Sequence, residues 1–238
     1  MVVTFGWKSS FFIVGFGSLL IPWFASFPSR ASTATRLRPG KPKASWGRVD
    51  RNLLGVSLAN IGYGYYFYLM VTWLPTYLVQ SRHLPLKTAG VYAVVPYLTF
   101  ALGEPIGGWI ADRLIATGWE EARSRKVIIT LAYLTSSLLI PAGLAEQTSS
   151  AIVFLGAASL VGLSTGNIYA LVQRISLGGD VGFSIGVFGL AGNIAGAAAP
   201  LATGFIIALT GSYFPAFVVA VVILLGSLPF YWLMVKTS

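Results

Sequence analysis

The chain has 238 residues, of which 55% are hydrophobic and only 10% charged; its mean hydropathy is +0.76. A soluble domain of this size carries roughly 25% charged residues, and here the deficit is uneven: long stretches carry no charge while a few short segments carry nearly all of it. With no cysteine and one histidine, His83, disulfides, thiol chemistry and cysteine metal sites are excluded and a histidine metal site has little scope.

Seven apolar runs follow in chain order: Trp7 to Phe27, Leu53 to Val79, Ala89 to Leu114, Val127 to Ala145, Ala151 to Gln173, Val181 to Leu209 and Tyr213 to Val235. Each approaches or exceeds the roughly 20 residues that carry a helix across hydrocarbon. They are continuous, not the alternating segments of about ten residues that a membrane β-barrel requires. The fold class expected is therefore all-α, with about seven transmembrane helices. The first run is followed by a basic segment instead of a small-residue cleavage site, so it reads as a retained span and not a signal peptide.

Between the first two runs, Pro28 to Asn52 is rich in Pro, Ser, Thr, Arg and Lys and nearly free of apolar residues. It reads as a linker that joins one helix to a compact six-helix block. Of the 16 basic residues, only Lys8, Arg82 and Lys87 fall on the side opposite this segment. The positive-inside rule then sets the N-terminus outside and the C-terminus in the cytoplasm. The net charge of +9 fits loops meeting anionic headgroups, and nucleic acid is not an expected partner.

Polar residues inside the runs must find partners on other helices or on a solute. Asn60, Tyr63, Tyr65 and Tyr66 stand in the second run, Asn167 and Tyr169 in the fifth and Asn193 in the sixth. Together they are candidates to line a polar cavity. Glu104 is the one carboxylate deep in a run, about 12 Å before Asp112 at 1.5 Å per residue. It is a candidate proton-coupling or gate residue, and Arg174 a candidate partner for it. The sixth run has glycines at helical spacing, Gly182 with Gly186 and Gly192 with Gly196, which allow close helix approach. Its Gly182-x-Ser184-x-Gly186 lacks the strand–turn–helix setting of a nucleophile elbow, so an enzyme is not expected.

The third run ends in Gly108-x-x-x-Asp112-Arg113, a Gly for close approach followed by charges that lock or release the next element. This turn resembles the cytoplasmic loop motif of the major facilitator superfamily. Thr72-Trp-Leu-Pro-Thr-Tyr-Leu-Val-Gln80 and Gly186-Val-Phe-Gly-Leu-Ala-Gly-Asn-Ile-Ala-Gly196 with Pro200, Thr203-Gly204 and Thr210-Gly-Ser-Tyr213 sharpen the likeness. They look like the anion:cation symporter family, carriers of sugar acids and other organic anions with protons.

The resemblance implies twelve helices in two halves related by an axis along the membrane normal. Residues 1–27 would be the last helix of the first half, 28–51 the basic cytoplasmic central loop, and 52–238 the second half. It implies proton symport of a small organic anion by alternating access in a bacterial inner membrane, without cofactor, and a fragment whose partner is the missing first half. Substrate contacts carry over to Tyr63, Tyr66, Tyr169 and Asn193. Gly189, where many relatives carry Asn, is a visible departure. The alternative class is a self-contained seven-helix receptor; a retinal pump is disfavoured because the last run has no lysine before Lys236.

Overall fold

The computed structural model describes residues 49–176 and 180–236, with Phe12 and residues 15–18 besides. The chain divides into two units, Met1–Lys43 and Ala44–Ser238. Nearly all of the expected first span and of the basic linker lies outside the described residues. The regular structure in the described part of the second unit is helical: α1 (Arg51–Gln80), α2 (Leu86–Ala116), α3 (Glu121–Leu144), α4 (Thr148–Ile175), α5 (Val181–Thr210) and α6 (Phe214–Leu233).

The helix ends follow from local chemistry. The Asp50 carboxylate accepts from the Leu53 amide at 2.7 Å, so α1 starts at Arg51 and takes over the last two residues expected of the linker. Asp180 caps α5 in the same way through the Phe183 amide at 3.1 Å. At the other end of α5, Gly211 turns the chain at φ 66°, a conformation that costs glycine nothing.

Five of the six, α2 to α6, are long and apolar enough to cross a membrane. Helix α1 is the exception, because Asn60 and five tyrosines dilute its hydropathy. It nonetheless packs against α5 and α6 and buries Val56, Leu69, Leu74 and Leu78. Helices α2 and α5 instead expose large apolar side chains, among them Val91, Leu98, Leu102, Leu190, Leu201 and Phe205.

Proline interrupts α1, α2 and α5, and in lipid each freed carbonyl needs a donor. Pro75 leaves the Val71 carbonyl without its helical amide, and the Tyr97 hydroxyl of α2 donates to that oxygen at 3.2 Å. At one end of the bundle Arg82 donates to the Ala142 carbonyl at 2.8 Å and also to that of Ala145, tying the α1–α2 turn to the end of α3. At the opposite end, Arg51 donates to the Leu233 carbonyl at 2.9 Å and Lys126 to that of Val235, so the start of α1, the start of α3 and the end of α6 meet.

Helices α2 and α4 cross backbone to backbone. A Cβ at Gly107 would collide with the Leu163 carbonyl, one at Gly103 would lie 3.0 Å from the Leu163 amide, and one at Gly162 would collide with the Phe100 carbonyl. Helix α4 tightens to a 3₁₀ turn over Ser159–Ser164 at this crossing. A Cβ at Gly108 meets nothing. The close approach expected of the loop-motif glycine therefore belongs to its neighbour. Gly107→Ala is expected to lower stability by roughly 1–3 kcal/mol while Gly108→Ala stays within about 0.5 kcal/mol, measured by unfolding in detergent.

Candidate functional site

A hollow of about 500 Å³ lies among α1, α2, α4 and α5. Helix α1 contributes Asn60, Tyr63, Gly64, Phe67 and Tyr68. These fall at relative positions 0, 3, 4, 7 and 8, which is one face of an α-helix. Helix α4 contributes Thr165, Gly166 and Tyr169, α2 contributes Glu104, and α5 contributes Phe188, Gly189, Gly192 and Asn193.

Hydrogen bonds hold the polar groups of the wall. The Tyr63 hydroxyl and Thr165 Oγ1 are 2.7 Å apart, joining α1 to α4. Asn60 Nδ2 donates to the Phe188 carbonyl at 2.9 Å, joining α1 to α5. The Tyr68 hydroxyl donates to Asn193 Oδ1 at 3.2 Å, and Asn193 Nδ2 donates to the Gly189 carbonyl at 2.9 Å. The Tyr169 ring stands edge-on to Phe188 with centroids 5.4 Å apart.

Of the residues singled out by sequence, Asn60, Tyr63, Glu104, Tyr169 and Asn193 thus share one cavity. Tyr65, Tyr66 and Asn167 stand outside it, Tyr65 being buried on another face of α1. Tyr66 is turned onto another face of α1 and is buried, its hydroxyl donating to the Ala158 carbonyl at 3.1 Å. Asn167 is two residues from both Thr165 and Tyr169, which at 100° per residue puts it on the opposite face of α4. It is buried, and Arg125 Nη1 donates to its Oδ1 at 3.3 Å. Sequence reasoning missed Tyr68 and Thr165; the helical spacing from Asn60 to Tyr68 was the signal for the first.

Arg174 is a further correction, for it does not pair with Glu104. Its guanidinium lies 3.2 Å from Glu121 and 3.7 Å from Glu120. Arg125 takes the other side of Glu121 at 3.1 Å and reaches Asp112 of the loop motif at 3.4 Å. A continuous chain of alternating charges therefore runs Asp112–Arg125–Glu121–Arg174–Glu120 and ties the end of α2 and the end of α4 to the start of α3. The α2–α3 turn supplies two carboxylates close by, so Arg174 is neutralised without reaching back to Glu104. Arg113 stays out of this chain, its guanidinium 4.7 Å from the Trp109 ring centroid. Among the described residues, Glu104 has no cationic partner and the cavity wall holds no cation.

Comparison with known proteins returns carriers. A family model described as Major Facilitator Superfamily matches residues 1–176. The Hexuronate transporter of Bacillus subtilis (strain 168) is 28% identical over 235 residues, covering 92% of this chain and 56% of that protein. The Probable L-galactonate transporter of Escherichia coli (strain K12) is 26% identical over 235 residues, covering 90% of this chain and 51% of its own length. The D-galactonate transporter of Escherichia coli O6:H1 is 30% identical over 182 residues, covering 76% of this chain and 42% of its own length. The chain spans about half the length of the curated relatives it matches.

Arg125 is the hub of the charge chain, with its side chain 13% exposed. Arg125→Gln leaves Asp112, Glu121 and Asn167 without their shared donor. The expected loss is about 1–2 kcal/mol, between the values for exposed and buried pairs because the two carboxylates are part-solvated. Arg113→Gln, which removes only a stacking contact, is expected to cost about 0.5–1 kcal/mol. Unfolding of the two variants in detergent checks the difference.

Proposed function

The chain belongs to the Major Facilitator Superfamily and is a multi-pass membrane protein, and from this premise we propose that it forms the second half of a secondary active transporter for small organic anions such as sugar acids, coupled to protons. On this reading residues 1–27 are the last helix of the first half, 28–51 the cytoplasmic central loop and 52–238 the second half-bundle. The N-terminus faces outward and the C-terminus the cytoplasm, in a bacterial inner membrane. The relatives support the substrate class, since their names specify hexuronate and galactonate transport. They do not favour the receptor alternative.

The observation that carries the mechanism is the charge of the cavity wall. Its described residues offer hydroxyls, amides, rings and one carboxylate, Glu104, but no cation. A sugar acid needs hydrogen-bond partners for its hydroxyls, which Tyr63, Tyr68, Tyr169 and Asn193 supply. Its carboxylate needs a positive charge, which on this reading comes from the facing half-bundle.

Glu104 then links the two solutes. A bound anion in the same low-dielectric hollow favours the protonated form of a neighbouring carboxyl. Binding linkage is reciprocal, so a proton on Glu104 tightens anion binding by the same factor. Anion and proton therefore load together, which is symport. The chain of charges through Arg125 and Arg174 lies about two helical turns beyond, where it closes one end of the bundle. Rocking of the two halves breaks and remakes that closure as the site alternates between sides.

Vesicles carrying this chain together with the first five helices of a relative test the reading, with labelled hexuronate as probe. Glu104→Gln is expected to retain substrate exchange but lose accumulation driven by an inward proton gradient. Full gradient-driven accumulation in that variant would remove Glu104 from the coupling. Vesicles carrying the chain alone are expected to show none, and accumulation there defeats the two-half reading.

A further inference from the structure

A second hollow, of about 480 Å³, lies at the basic end of the bundle between the start of α3 and the residues that close α6. It is lined by Arg123, Lys126 and Lys236, by Trp232, and by one carboxylate, Glu120. Glu120 already lies 3.7 Å from Arg174, so cationic charge dominates the wall.

The cations are held by structure. Lys126 is 2% exposed and lies 5.6 Å from the Trp232 ring centroid, with one ammonium hydrogen given to the Val235 carbonyl. An ammonium has three donors, and this one has a single hydrogen-bond acceptor among the described residues. The Trp232 indole is fixed in turn, its Nε1 donating to Thr130 Oγ1 at 3.0 Å. Lys236 is positioned through its backbone amide, which donates to Asn52 Oδ1 at 2.9 Å. Arg123 lies over the Trp119 ring at 5.6 Å, and neither Arg123 nor Lys236 has a carboxylate partner among the described residues.

We propose that this hollow binds the phosphate of an anionic phospholipid. Burying an ammonium beside two more cations is costly unless an anion joins them, and a phosphate accepts from all three. The surroundings select a lipid over a free ion. Trp119 and Trp232 are 43% and 45% exposed at the ends of membrane-crossing helices, the level at which tryptophan lies among headgroups. Leu233, 71% exposed, adds apolar surface along which an acyl chain can run. Basic pockets between membrane helices recognise anionic headgroups in this way. The site is separate from the polar cavity and does not depend on the substrate carried.

The test is lipid retention by the purified chain in neutral detergent, counted by native mass spectrometry with phosphatidylglycerol against phosphatidylcholine. The wild type is expected to retain phosphatidylglycerol selectively. Arg123→Gln and Lys236→Gln each weaken that retention about fivefold, the factor for one near-surface cation, and Lys87→Gln at the opposite end of the bundle leaves it unchanged. Equal retention of the two lipids by the wild type overturns the proposal, as does undiminished retention in the double variant with native helical content by circular dichroism. Inorganic phosphate bound at millimolar concentration without retention of phosphatidylglycerol assigns the hollow to a free anion and overturns the lipid assignment.

Discussion

The polar cavity depends on α1 and α5 lying almost backbone to backbone. A Cβ at Gly64 would come within 2.6 Å of the Gly192 carbonyl, and one at Gly192 within 2.5 Å of the Asn60 amide nitrogen. In lipid there is little hydrophobic drive between helices, so contact has to come from van der Waals fit and hydrogen bonds, which small residues permit. The missing side chains bring Asn60 within reach of the Phe188 carbonyl and place Tyr68 over Gly196, where its hydroxyl meets Asn193. Larger residues at these two glycines would separate the helices and open the wall.

That contact divides α5 into two kinds of surface. Gly192 and Gly196 face α1 and are filled by Asn60 and Tyr68, so this pair is a packing seam as its spacing suggests. Gly186 and Gly189 have nothing within 4 Å, and Gly182 meets only Asp180. Their face is open among the described residues, and Gly189 borders the cavity. The same small-residue spacing thus serves packing in one half of the helix and leaves free surface in the other.

Charge is segregated with equal economy. The carboxylates Asp112, Glu120 and Glu121 are matched with Arg125 and Arg174 at one end of the bundle, where part-solvation lowers the cost of ionisation. Glu104 is set apart, half-buried in the cavity beside hydroxyls. Glu104 thus faces the contents of the cavity without a fixed counter-charge among the described residues, whereas the other three carboxylates are held by arginine. The separation follows from helix register: Asp112 is two turns beyond Glu104 on α2, at the level where α3 begins.

The six helices of the second unit, their approximate limits and the multi-pass membrane class were legible in the residues themselves. An uninterrupted apolar run has one way to satisfy its backbone in hydrocarbon, and charge accumulates where a run ends. The common face of Asn60, Tyr63 and Tyr68 was also within reach, because helical pitch is a local property. Which polar residues meet was not. Tyr66 differs from Tyr63 by less than one turn, yet it docks on Ala158; Asn167 sits two residues from Tyr169, yet it serves Arg125. Arg174 chose Glu121 over Glu104, and Gly107 took the close approach that Gly108 shares by spacing. Each outcome is set by how far one helix is rotated and slid against another, and that depends on long-range packing which no local pattern encodes.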